Sequence, residues 1–390
     1  MASRVGVRLC VVLSLIAART TSAQIFVRRP QLRAGQDTND AAAYVQFARS
    51  SLTTPTDSAH AASEAALIWA ARLDPGSGDP PYLLAVAVFR PIMVQARRER
   101  RLSRRLLQRE LTPMRLRYVD SLMREAWLRE PFYDISLEPL LNPSLFPPQF
   151  IADPAARGYF AYQWRDPYLA VRSWAEAIAG DPRRIDLRLH RAHTFYGMQL
   201  YDSAAAELRA ALATTAPPDS ELPTMPSPFV LEYALGVALE RAGQRDSAIE
   251  AYHRALGGNL GLYMARVRLS HILFDKGDTA QAVIETAQAV DISPQEPWLA
   301  SYYGYLLLQA GRAADAIVQL QTAVALDSAY ATPYFLLGVA HTALQHAPEA
   351  LKSFEQFLSR SPLADERRDW TSERVSALRA TLPGSGGPRE

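Results

Sequence analysis

A spacing of 34 residues limits this chain's fold more than any other feature. Ala248, Ala282, Ala316 and Ala350 follow one another at that interval. Gly236, Ser270, Gly304 and Gly338 keep the same step, as do Leu235, Leu269, Tyr303 and Leu337. A fourth series runs through Leu239, Leu273, Leu307 and His341. A fixed period of this size marks stacked supersecondary units, each burying its apolar face only against its neighbours.

Every window reads as two helices. In 297–330, Leu299, Tyr303, Leu306 and Leu307 fall at the spacings of one helix face. Gly311 then interrupts where the chain must reverse, and Ala316, Ile317, Leu320 and Ala323 continue as a second helix. Gly243 and Gly277 hold the same turn position in the preceding windows. Short side chains let paired helices approach closely. Pro294 and Pro362 end second helices, because proline lacks the N–H that would continue them.

The small-aromatic-apolar order of the first helix and the Ala-x3-aromatic order of the second resemble the tetratricopeptide repeat. Ala248 to Tyr252 and Ala350 to Phe354 carry the second pattern; Gly236, Gly304 and Gly338 carry the first-helix glycine. Departures are Ser270 for that glycine, Thr286 for the second-helix aromatic, and Leu260 and Ser328 for the terminal proline. The resemblance implies an all-α fold: a right-handed superhelical solenoid of antiparallel helix pairs.

The register extends upstream through Ala204 and Ala170, with Leu208 and Trp174 four residues after them and Gly158 at the first-helix position. Ala204 and Ala248 lie 44 apart, and the ten extra residues fall in the proline-rich stretch from Thr214 to Pro228, a loop. Six units are expected at 151–184, 185–218, 229–262, 263–296, 297–330 and 331–364. A capping helix should cover 365–382, followed by a disordered tail at 383–390. Residues 24–150 are less regular. Asp40–Leu52 and Ser58–Leu73 form one divergent helix pair, Tyr82–Leu111 a long helix with Pro91 inside it, and Thr112-Pro113 begins another. Pro139 to Pro148 is a connector, and this whole region is either a domain of its own or two enlarged units of the same stack.

Residues 1–23 carry the marks of an export signal. Arg4 and Arg8 precede the apolar run Leu9–Ala18, and Thr21-Ser22-Ala23 offers small residues for cleavage before Gln24. The run falls short of the roughly 20 residues that span a bilayer, so an uncleaved anchor is the second choice. Cys10, the only cysteine, begins the run, whereas a lipid-modified cysteine would stand at its end. The mature chain then has no thiol for a disulfide, a nucleophile or a metal. A periplasmic or secreted protein is expected, which leaves nucleic acid out of reach. The formal net charge of +2 gives no global field for it either.

No catalytic, cofactor or metal site is expected. The chain lacks a phosphate-binding glycine loop ending in Gly-Lys-Ser/Thr, a Gly-x-Ser-x-Gly turn and a His-Glu-x-x-His helix motif. His190 and His193 stand three apart on one helix, but no third ligand sits at a spacing that completes a site.

In the family that the sequence resembles, first-helix positions 2, 5, 9 and 12 line the concave face. Carried over residue by residue, that face would hold Tyr159, Tyr162, His193, Tyr196, Tyr233, His271, Phe274, Trp298, Tyr305 and Phe335. Such a row suits an extended protein or peptide partner, since tyrosine and tryptophan offer large contact area with few rotamers to freeze. The plainer reading is that several rings pack between neighbouring helices. Asp186, Glu240 and Asp275 add acid, so the resemblance does not extend to a lysine-rich clamp for an acidic tail.

A second surface is basic. Between Arg90 and Glu130 twelve arginines meet five acids, a local net of +7. Arg97, Arg98, Arg101, Arg104, Arg105 and Arg109 crowd one long helix. They offer either a site for an anionic envelope surface, lipid or polysaccharide, or a solvated helix face. The reading that follows is an exported scaffold that binds a protein partner through its groove, with anionic-surface binding as the alternative.

Overall fold

The computed structural model describes residues 27–52, 57–98, 118–119, 121–122, 125–126, 128–129, 152–163, 165–214 and 227–382. The export segment 1–23 with Cys10, the connector 139–148, Arg101, Arg104, Arg105, Arg109 and the tail 383–390 lie outside them. Arg97 and Arg98 end a helix whose side chains there are likewise outside the described set.

The described residues form helices and no strands. Three lie in the first part of the chain: α1 (Ala41–Leu52), α2 (Asp57–Leu73) and α3 (Asp79–Arg98). Six pairs follow: α4/α5 (Pro154–Gln163, Pro167–Gly180), α6/α7 (Ile185–Gly197, Tyr201–Ala213) and α8/α9 (Pro228–Arg241, Arg245–Gly258). Then come α10/α11 (Tyr263–Asp275, Thr279–Ile292), α12/α13 (Pro297–Gln309, Ala313–Leu326) and α14/α15 (Thr332–Ala343, Ala347–Arg360), closed by α16 (Arg367–Thr381). The fold is an all-α solenoid of antiparallel helix pairs.

One contact recurs inside every pair. The second-helix alanines Ala170, Ala204, Ala248, Ala282, Ala316 and Ala350 are all fully buried. Four residues on, Trp174, Leu208, Tyr252, Thr286, Leu320 and Phe354 are no more than 2% exposed. These side chains lie over the small residue of the first helix. A Cβ on Gly158 would sit 2.3 Å from Trp174, on Gly236 2.4 Å from Tyr252, on Gly304 2.6 Å from Leu320, and on Gly338 2.3 Å from Phe354. The missing methyl is the space that the large side chain occupies.

The turn between paired helices is also one structure used six times. Its left-handed residue is Arg165, Gln199, Gly243, Gly277, Gly311 or Gln345, with φ between 58° and 86°. In each case that residue's N–H bonds the carbonyl three back, and the next N–H bonds the carbonyl five back. Gly243 to Glu240 (3.0 Å) with Gln244 to Leu239 (2.9 Å) is one example; Gln345 to Thr342 (3.1 Å) with His346 to His341 (2.8 Å) is another. This is the Schellman stop, which satisfies the last carbonyls of the first helix.

The chain divides into two compact units, Met1–Ala126 with Ser293–Glu390, and Trp127–Ile292. In the first, α1 and α2 pack around Tyr44, Ala48, Ala66, Leu67 and Ala70. The Arg72 guanidinium meets both carboxylate oxygens of Asp327 at 3.2 and 3.3 Å, so the early helices join the turn after α13. Phe354 and Val375 bury α16 against α15. The second unit holds α4–α11, with successive helices packed side by side.

Candidate functional site

The ten residues of the expected aromatic row have different fates. In the second unit, Tyr159, Tyr162, His193 and Tyr196 are half-buried on α4 and α6. Tyr159 meets Trp174 and His190 edge-on at 5.5 and 4.9 Å. His190, exposed, stacks on Trp174 at 5.4 Å. The Tyr162 hydroxyl lies 3.3 Å from His193 Nδ1, and Tyr196 packs edge-on to Tyr201 at 5.2 Å. These rings form a partly open aromatic surface. Among the described residues, no group of three or more His, Cys, Asp or Glu is placed to hold a metal ion.

Tyr233 does not line an open groove: its side chain is fully buried. Its hydroxyl donates to the Leu128 carbonyl at 2.7 Å and accepts from Arg268 Nε at 3.2 Å. Arg268 Nη2 donates to the Arg129 carbonyl at 3.3 Å, while its Nη1 lies 3.3 Å from Glu240 Oε2. The Tyr252 hydroxyl donates to that same oxygen at 2.6 Å. The corresponding first-helix positions Val237, Met264 and Val267 are buried as well. The face of α8 and α10 therefore already carries a polypeptide, the chain's own residues Leu128 and Arg129.

Charge holds this cluster together. Burial works against the Arg268 cation, but Tyr233, Tyr252 and Glu240 more than offset it and hold the guanidinium protonated well beyond its usual range. Burial, with Glu240 adding to it, keeps the Tyr252 hydroxyl protonated far above its usual range. His271, one turn along α10, keeps its ring open to water. Even so, surrounding protein lowers its pKa below 6.5, with Glu240 opposing and Arg268 assisting. Phe274 is half-buried beside His271.

In the first unit, Trp298 and Tyr305 are half-buried on α12. Trp298 Nε1 donates to Glu296 at 3.0 Å, and Tyr305 stacks with Tyr302 at 6.3 Å. Phe335 is used internally. It meets Phe354, Phe357 and Trp370 at 6.2, 5.3 and 5.7 Å, and Arg367 lies over its ring at 5.2 Å. The capping helix covers this position, so packing rather than ligand contact explains the ring.

Arg268 falls outside first-helix positions 2, 5, 9 and 12, so the repeat register does not point to it. The signal in the sequence is a charge one helical turn from Met264 on one side and Ile272 on the other, both apolar.

Residues 304–345 match the family model described as TPR repeat. No curated protein matches the chain. Among solved structures, MamA is 19% identical, covering 44% of this chain and 94% of its own, with a TM-score of 0.38. YrrB, described as a TPR protein with an unusual peptide-binding site, is 16% identical over 53% of this chain and 100% of its own, TM-score 0.42. PilW, described as a widely conserved type IV pilus biogenesis factor, is 18% identical over 58% and 96%, TM-score 0.41. The helix pairing in this matched part recurs through the described residues with the same period, the same left-handed turn and the same large-over-small contact, so the chain has the fold of a tetratricopeptide-repeat solenoid.

Proposed function

We propose that this protein is an exported, non-enzymatic scaffold that captures a polypeptide partner on the face of its first helices. One observation carries the reading. Tyr233 and Arg268 already hold main-chain carbonyls, those of Leu128 and Arg129, on that face. Hydrogen bonds to backbone recognise a polypeptide whatever its side chains, and flanking rings add contact area and selectivity. The rings left partly open, Tyr162 and Tyr196 in one unit and Trp298 and Tyr305 in the other, are the surfaces offered to a partner. The segment 1–23 supports an address in the periplasm or outside the cell.

The test is affinity capture of a partner from an envelope extract by residues 24–390, with a salt-gradient elution. The chain is compared with a Tyr162→Ala/Tyr196→Ala variant and a Trp298→Ala/Tyr305→Ala variant. A protein held through high salt and lost from either variant supports the proposal. Equal capture by all three chains overturns it. Retention only of acidic polymers or lipids, released at low salt, moves the function to Arg97–Arg109.

A further inference from the structure

Three guanidinium groups of the first unit stack on aromatic faces, and two of them, Arg29 and Arg360, line one cavity. Arg29 and Arg72 lie 4.8 and 4.4 Å from the Trp69 ring, and Arg360 lies 4.6 Å from Tyr334. The cavity measures about 310 Å³, and Arg29, Asn39, Trp69, Ser359 and Arg360 are among its lining residues.

The charges there are unevenly matched. Arg72 takes the Asp327 carboxylate. Arg29 bonds only neutral acceptors: the Tyr44 hydroxyl at 2.9 Å, the Asn39 side chain at 3.3 Å and the Thr38 carbonyl. Arg360 does the same, through the carbonyls of Ser328 and Gln356 at 2.9 and 3.2 Å and the Ser359 hydroxyl at 2.9 Å. Among the described residues, neither Arg29 nor Arg360 has a carboxylate within ion-pair distance. Nor does any acidic side chain line the cavity.

These neutral bonds and ring contacts hold both side chains in place, so they are preorganised rather than free in solvent. Two fixed cations facing one small cavity repel each other, and an anion between them removes the repulsion while gaining charge-assisted bonds. We propose that this cavity, formed by α2, the turn after α13 and the end of α15, binds a small oxyanion, a carboxylate or a phosphate group, through Arg29 and Arg360. The site is separate from the first-helix face proposed for the partner polypeptide. Occupancy would tie the early helices to the last repeat, because Arg29 and Arg360 come from opposite ends of the described chain.

Calorimetric titration of the full chain at low ionic strength, with inorganic phosphate and separately with citrate, tests this. Saturable binding in the millimolar range or tighter is expected for at least one of them. Tighter binding of phosphate assigns a phosphoryl-bearing ligand, and tighter binding of citrate a carboxylate-bearing one. Arg360→Gln should weaken binding roughly tenfold. Arg360→Lys, which keeps the charge and loses the fork, should weaken it less while preserving the fold. Arg245→Gln, in the other unit, should leave binding unchanged. Absence of saturation with both anions overturns the proposal. So does binding by Arg360→Lys and Arg29→Gln that equals that of the unaltered chain.

Discussion

Ser270 Oγ lies 2.6 Å from Thr286 Oγ1, and both side chains are fully buried at the positions where four other repeats place a glycine beneath a large side chain. Ser270 Oγ also lies 2.9 Å from the Ala282 carbonyl, to which only its own proton can be given. Thr286 must then donate to Ser270, and both hydroxyls are satisfied. The first-helix residue has grown and the second-helix residue has shrunk to match. Two departures from the repeat pattern are one compensated exchange.

That coupling predicts non-additive substitutions. Thr286→Tyr alone drives a ring into Ser270 and should cost about 1–3 kcal/mol by overpacking. Ser270→Gly alone leaves the Thr286 hydroxyl buried without its partner and should cost about 1–3 kcal/mol. The double variant recreates the Gly236 and Tyr252 arrangement and should recover much of that loss. Chemical unfolding of the four chains gives the coupling energy, expected at about 1 kcal/mol or more. Simple additivity would refute the exchange.

The six left-handed turns supply an independent test. Gln199 and Gln345 adopt φ of 61°, where Gly243, Gly277 and Gly311 serve elsewhere. A side chain in that region costs roughly 1 kcal/mol, partly repaid by the smaller backbone entropy of a non-glycine residue. Gln345→Gly should therefore stabilise the fold by about 0.5 kcal/mol, and Gly277→Ala should destabilise it by about 1 kcal/mol. Thermal unfolding would show midpoints moving in opposite directions.

Much of the fold was legible because period, small residues and apolar stripes are local properties. The alanine series could be read from spacing alone, and each member is fully buried. The turns were half legible. Glycine announces a left-handed residue, whereas Arg165, Gln199 and Gln345 reach the same conformation under control of the surrounding bonds. The site was less legible, because position within a repeat says which face a residue occupies but not what covers that face. Tyr233 is covered by residues more than 100 positions earlier in the chain, and Phe335 by the cap. The pairing of Arg72 with Asp327, 255 residues apart, has no local signature either.

That pair predicts where the first unit is vulnerable. The Asp327 side chain is 12% exposed and that of Arg72 28%, so each is largely withdrawn from water. Asp327→Asn leaves the Arg72 cation against Trp69 without its counter-charge and should cost about 1–3 kcal/mol. Hydrogen exchange should then quicken in α2 and around Ser328, with little change in α8–α10. Equal quickening in both regions would mean that the pair does not act within its own unit.

The pH dependence of stability follows from His271 and His341. Desolvation by neighbouring protein lowers both pKa values below 6.5, although His271 is still reached by water; Glu240 opposes it and Arg268 assists at His271, and Glu349 opposes it and His346 assists at His341. Asp275 also opposes the shift of His271. A folded pKa below the unfolded one means that the unfolded chain binds the proton first. Stability is then flat above pH 6.5, falls as the pH drops below it, and levels off beneath the folded values. The carboxylates act in a lower window: a hydrogen bond from Lys276 holds Asp246 below 3.8, and one from Arg367 does the same for Asp365. Their contribution is lost only as the pH falls past that range. Urea unfolding between pH 7.5 and pH 5 thus isolates the histidines. The His271→Gln/His341→Gln variant should lose a measurable part of the slope below pH 6.5, where the unaltered chain weakens. An identical slope in both would assign the acid sensitivity to other groups.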